Sequence, residues 1–171
     1  TANAPFVLAL ATQAMIAAIA AVSLDLLVGN TGLLSFGHAG WYGFGGYVTG
    51  LLAKALTPEM LLLLPLTTLL AAASAALIGS ILVRQIGKTF AILTLALSQI
   101  FYSLVFVAAH WTGGEDGLQG IPPATLGGVA IVSPQSWYWL IYGTLLAVLV
   151  LGLYLRRTPL GRSWLAIKDN P

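Results

Sequence analysis

What most constrains this chain is the recurrence of uninterrupted apolar stretches about 20 residues long, the length a helix needs to cross a hydrocarbon layer of roughly 30 Å. Five can be read: Pro5 to Val28, Leu33 to Leu52, Met60 to Val83, Thr89 to Ala109 and Trp137 to Leu155. Runs such as LLAAASAALIGSILV and LLAVLVLGLYL are apolar on every side. Strands of a membrane barrel would instead alternate in polarity over stretches of about 10 residues. The expected fold class is all-α, a polytopic membrane helix bundle of about five transmembrane helices forming a single domain over residues 1–171. Composition agrees, because 58% of the 171 residues are hydrophobic and 7% are charged, against roughly 25% charged in soluble domains. A net charge of +2 is too small and scattered for nucleic-acid binding, and with no cysteine there are no disulfides, thiolate metal sites or cysteine nucleophiles.

Basic residues near helix ends set the expected orientation. Arg84 and Lys88 lie between the third and fourth stretches, and Arg156, Arg157, Arg162 and Lys168 follow the fifth, whereas residues 110–136 carry Glu115 and Asp116 and no Lys or Arg. The basic ends therefore face the cytoplasm and 110–136 forms an extracytoplasmic loop, longer than the roughly 12–15 residues beyond which structureless loops are uncommon. By this count Thr1 lies outside and Pro171 inside. The first stretch has no basic flank and is read as a membrane helix, not a signal peptide. From an outside start without an initiator Met, the expectation is a fragment that lacks at least one earlier helix and is incomplete at its C-terminal end. Trp137, Tyr138 and Trp139 at one end of the last stretch, and Tyr154 about 25 Å further along, match two interfacial belts.

The second stretch holds Gly37, Gly40, Gly43, Gly45, Gly46 and Gly50, although each helical glycine costs about 0.8 to 1 kcal/mol relative to Ala. Two reasons are open. Small residues allow close helix packing, for which Gly46 and Gly50 are spaced; or a broken or re-entrant helix lines a solute path. Gly43-Phe44-Gly45-Gly46 is not a dinucleotide fingerprint, since no strand precedes it. Asp25 and His38 flank the Gly29–Gly32 turn and serve either as interfacial, capping or packing groups or in transport and gating. Ser35, His38 and Asp25 show no nucleophile-elbow motif, so hydrolase chemistry is rejected. Thr94, Ser98, Gln99, Tyr102 and Ser103 form a polar stripe along the fourth stretch, for interhelical hydrogen bonds or for lining a pore. Glu115 and Asp116 lack calcium-loop spacing and read as solvated loop acids.

After the last stretch, Thr158 suits an N-cap and Pro159 a first helical turn. Leu160, Trp164 and Ile167 then recur as an apolar stripe, able to dock on a partner or to lie on the membrane surface.

LDLLVGNTGLLSFGHAGWYGFGGY at residues 24–47 resembles permease subunits of ATP-binding-cassette importers for branched-chain amino acids. GKTFAILTLALSQIFY (87–102), WTGGEDGLQGIP (111–122) and TPLGRSWLAIKDN (158–170) are similar to the next helix, the outer loop and the start of the cytoplasmic coupling segment of that family. The resemblance implies a non-catalytic subunit working by alternating access beside a second permease subunit, two ATPase subunits and an extracytoplasmic substrate-binding protein, in the bacterial inner membrane. Related permeases for urea and short amides share much of the pattern. No cofactor is expected on this chain, and ATP would be bound by the partner subunits, since no phosphate-binding loop GxxxxGK[ST] occurs. Asp25, His38, Gly43, Gly46, Gln99 and Tyr102 are the expected path or gating residues. Leu160, Gly161, Arg162, Trp164 and Ile167, within residues 156–171, are the expected ATPase-coupling residues. The alternative is a proton- or ion-coupled secondary transporter or channel using Asp25 and His38.

Overall fold

In the computed structural model, residues 4–85, 87–159, 161 and 163 are described. Their elements run α1 (Ala4–Thr31), α2 (His38–Ala55), α3 (Met60–Leu82), α4 (Lys88–Val107), the short α5 (Ala109–Thr112), β1 (Thr125–Leu126), β2 (Val129–Ala130) and α6 (Pro134–Arg157). Four helical segments, Pro5–Thr31, Met60–Leu82, Lys88–Val107 and Pro134–Arg157, are long and apolar enough to cross a membrane. The 18 residues of α2 extend about 27 Å, but its glycines, His38 and Lys54 make it less apolar. Together these make an all-α membrane bundle close to the expected count.

Several boundaries differ from the sequence reading: α1 runs on to Thr31, through most of the expected Gly29–Gly32 turn, and α2 to Ala55, and two helix starts shift. The second stretch turns helical at His38, not Leu33, because the backbone of Phe36 is bonded elsewhere. α6 starts at Pro134, three residues before the apolar run. Ser133 there accepts a hydrogen bond from the Ser136 N–H at 3.1 Å, and Pro134 takes the first helical position, where its missing N–H costs nothing.

The chain divides into two compact units, Thr1–Ser35 with Val132–Pro171, and Phe36–Ile131. In the first, α1 and α6 meet at their C-terminal ends. Leu26 lies where a Cβ on Gly152 would make ordinary contact, 3.5 Å from its Cδ1, and the Arg156 guanidinium pairs with the Asp25 carboxylate. Tyr138, Trp139 and Tyr142 cluster at the start of α6, and Tyr154 is exposed near its other end. Beyond α6, the Thr158 hydroxyl donates back to the Leu155 carbonyl at 2.6 Å. Gly161 is folded so tightly onto the end of α6 that a Cβ there would run into the Leu155 carbonyl and the Arg156 backbone. Leu160, Arg162, Trp164 and Ile167 lie outside the described residues.

In the second unit, α2 packs on both α3 and α4. α2 and α4 run parallel, with Gly37 against Thr94, Gly40 against Ser98 and Phe44 stacked on Phe101. Leu63, Phe90, Ala91, Ala53, Ile131, Thr67 and Thr94 are buried here. Most other large apolar side chains of the membrane-length helices are exposed, such as Leu61, Leu69, Leu77, Ile81 and Ile92, as a lipid-facing surface requires.

The loop after α4 has its own structure. The Thr112 hydroxyl donates to the Ala108 carbonyl at 3.1 Å and accepts from the Gly114 N–H at 3.2 Å. β1 and β2 form an antiparallel hairpin turned at Gly127 and Gly128, whose φ values of 61° and 79° favour glycine. Glu59 clasps this turn, accepting from the Gly127 and Gly128 N–H groups at 2.7 and 3.1 Å and from the Thr125 hydroxyl at 2.9 Å.

Candidate functional site: a cleft between parallel helices

The stripe on α4 and the glycines on α2 belong to one arrangement. Thr94 and Ser98, one helical turn apart, bind the two backbone groups of Phe36: the Phe36 N–H donates to the Thr94 hydroxyl oxygen at 3.1 Å, and the Ser98 hydroxyl donates to the Phe36 carbonyl at 3.1 Å. Phe36, which stands just before α2, thus meets the hydrogen-bonding demand of its backbone on α4. The close approach needs glycine. A Cβ on Gly37 would stand 3.0 Å from the Thr94 carbonyl oxygen, and one on Gly40 would stand 3.0 Å from both the Ser98 Cα and a Phe101 ring carbon.

Beyond this contact the helices part. Trp41, Phe44 and Phe101 hold the junction, with ring centroids 5.1 to 5.8 Å apart. A cleft of about 740 Å³ opens there, lined by Gly40, Gly43, Phe44 and Tyr47 of α2, by Ser98, Gln99, Tyr102, Val105 and Phe106 of α4, and by Thr112 and Glu115 of the following loop. A second cleft of about 590 Å³ borders the other side of α2, between Gly43, Gly45, Gly46 and Thr49, Thr67 and Thr68 of α3, and Leu118 and Ile121.

The two explanations offered for the glycines therefore apply to different residues. Gly37, Gly40 and Gly50 are tight. Gly43, Gly45 and Gly46 face open space, with nothing within 4 Å of a Cβ built on them. The expectation that Gly46 and Gly50 pack together on a neighbouring helix is corrected: Gly46 lines the second cleft, and Gly50 is pressed by Leu118, 2.6 Å from its would-be Cβ, and Ile121 of the outer loop. α2 itself is one continuous helix, and the irregular backbone precedes it.

Of the expected path residues, Gly43, Gln99 and Tyr102 come together on the first cleft and Gly46 on the second. His38 opens α2 and lines neither. Asp25 belongs to the other unit, in the ion pair with Arg156, both side chains more than a third exposed. Among the coupling residues, Gly161 has the tight turn described above.

Sequence reasoning missed three features. Gly37 and Gly40, not Gly46, make the closest helix contact, which nothing local signals without knowing that α2 and α4 are parallel. Glu115, read as a solvated acid and exposed as such, also lines the first cleft. Glu59 was not singled out; the Gly128 N–H, then the Gly127 N–H and the Thr125 hydroxyl, hold its carboxyl below the ordinary value.

Comparison with known proteins fits this architecture. Residues 6–171 match the family model described as the permease component of the branched-chain amino acid transport system. The protein named high-affinity branched-chain amino acid transport system permease protein LivM is 31% identical over 184 residues in Escherichia coli K12, and its namesake in Salmonella typhimurium LT2 is equally similar. Each alignment takes in 94% of this chain and 43% of the relative, so the chain spans less than half the length of the curated relatives it matches. No solved structure matches. With a match over nearly its whole length and four helices fit to cross a bilayer, the chain belongs to the multi-pass membrane family of branched-chain amino acid transport permeases.

Proposed function

We propose that the protein carrying this chain is the membrane-spanning permease subunit of an ATP-binding-cassette importer, moving branched-chain amino acids or related small polar solutes across the bacterial inner membrane. It performs no covalent chemistry. It works by alternating access beside a second permease subunit, receives solute from an extracytoplasmic binding protein, and is driven by two ATPase subunits that bind the ATP. Residues 110–136 lie outside, and the basic ends and residues 156–171 lie on the cytoplasmic side, where the coupling segment begins.

The observation that carries this reading is the α2–α4 cleft, in which Gly43, Gln99 and Tyr102 share an otherwise largely apolar and aromatic wall. Its helices support the orientation, since parallel neighbours must enter the membrane from the same side, and α2 and α4 are separated by one reversing helix. The relatives named above are branched-chain amino acid permeases, which points to the solute class.

The test is uptake of radiolabelled L-leucine by the full-length protein reconstituted with its partners. Gly43→Phe projects a ring into the cleft from a position with open space around it, so assembly is expected to persist and uptake to vanish. Uptake equal to wild type with the ring in place would remove the cleft from the path. Uptake that persists without the ATPase subunits and collapses with the proton gradient would favour the ion-coupled alternative.

A further inference from the structure

We propose that Glu115 receives the positively charged ammonium of the transported solute at one end of the α2–α4 cleft. The inference rests on reading that cleft as the solute path. Among the described residues lining the cleft there is one carboxylate and no cationic side chain. A groove with apolar and aromatic walls and one fixed negative charge selects a solute with an apolar body and a positive head.

The surroundings of Glu115 leave its charge available. Its carboxylate makes no hydrogen bond or ion pair with a described residue, whereas nearby polar groups are engaged with one another. The Lys54 ammonium donates to the Gln119 carbonyl at 2.8 Å, and the Gln119 amide donates to the Asp116 carbonyl at 2.7 Å. Glu115 is carried on a tight turn between Gly113 and Gly117, whose φ values are 82° and 68°; a Cβ on Gly113 would strike the Gly117 carbonyl. The turn is tied to the end of α4 through Thr112, so the backbone that carries Glu115 keeps its place beside the cleft.

Two neighbours act in the same direction. The C-terminal end of α4 contributes the negative end of its helix dipole. Tyr102 and Phe106, ring centroids 4.8 Å apart, line the same cleft and offer ring faces that attract an ammonium.

The experiment compares L-leucine uptake by wild type, Glu115→Gln, Glu115→Asp and Gly43→Phe in the full-length protein assembled with its ATPase and binding-protein partners. Removing the charge at constant size is expected to lower uptake about 5- to 10-fold, the scale of a charge-assisted contact in a partly screened site, while Glu115→Asp retains more than half. If Gly43→Phe abolishes uptake and Glu115→Gln leaves it unchanged, the proposal is overturned and the path reading stands. If Gly43→Phe leaves uptake intact, the path reading fails and the proposal with it. If Glu115→Gln only raises the binding-protein concentration needed for half-maximal uptake, the carboxylate is a docking contact and the proposal is overturned. Glu115→Ala replaces Glu115→Gln should the latter fail to assemble, with the same outcomes.

Discussion

Thr94→Val is the most informative single change. It keeps the shape of the side chain and deletes one oxygen from a residue that is 4% exposed. In the native chain that oxygen accepts from the Phe36 N–H at 3.1 Å while donating to the Ala91 carbonyl at 2.9 Å. Ala91 O has a helical partner in α4 and loses little, so the cost falls on the Phe36 N–H. An orphaned donor costs about 1 to 3 kcal/mol when fully buried, an upper range for the part-buried Phe36 N–H, and side-chain hydrogen bonds between membrane helices average about 0.6 with a maximum near 1.7 kcal/mol. The overlap gives an expected loss of about 1 to 2 kcal/mol. Ser98→Ala removes only one partner of a carbonyl in a less buried place and is expected to cost about 0.5 to 1 kcal/mol. The assay is equilibrium unfolding of the full-length protein in mixed micelles with increasing denaturing detergent, Thr94→Ser serving as the variant that keeps the hydroxyl. If Thr94→Val unfolds with wild type, or if Thr94→Ser is as damaging as Thr94→Val, the hydroxyl does not hold the Phe36 backbone in place and the argument fails.

The glycines of α2 should separate under alanine substitution in the same assay. Gly40→Ala is expected to lose about 1 to 3 kcal/mol, because its Cβ meets the Ser98 backbone, whereas Gly46→Ala meets nothing and should gain up to about 1 kcal/mol of helix propensity; equal effects would refute the division into tight and open positions. Glu59 should give the hairpin an acid-sensitive hold. Its folded carboxyl titrates below the ordinary 4.5, so the stabilisation is full above that value and is lost as pH falls through the depressed one. Protection of residues 125–130 from proteolysis should therefore exceed that of Glu59→Gln at neutral pH and converge with it in acid; a difference that grows on acidification would contradict the sign.

The membrane helices were legible because length and unbroken apolarity are local properties, and α3, α4 and most of α6 follow directly from them. What could not be read depends on distant partners. Leu33, Leu34 and Phe36 look like a continuation of an apolar helix, and no neighbour in sequence announces that the Phe36 backbone will bond to hydroxyls 58 and 62 residues away. Gln99 and Tyr102 were recognisable as part of a polar stripe poorly suited to lipid, and Gly43 as one of more glycines than a plain helix explains; the clefts beside α2 account for all three. Glu115 was read as a solvated loop acid, and it is exposed; what the sequence could not show is that the turn after α4 also sets it beside the cleft. Asp25 was visible as an unusual charge beside a membrane helix, but its partner Arg156 stands 131 residues further on.

That last separation governs the order of assembly during synthesis. α1 is made first, and the face carrying Asp25 and Leu26 waits for α6. At roughly 5 to 20 residues per second the delay is about 7 to 26 s, long compared with the microseconds in which helices form. α2, α3 and α4 are all made within that interval, so the unit of residues 36–131 has its own contacts before α1 can meet α6. Placing Asp25 a turn from the end of α1 makes the wait tolerable, since the carboxylate can reach the aqueous boundary until the guanidinium arrives. Synthesis halted before Arg156 would leave residues 36–131 with their own contacts and α1 still without its mate, a natural point for quality control to act.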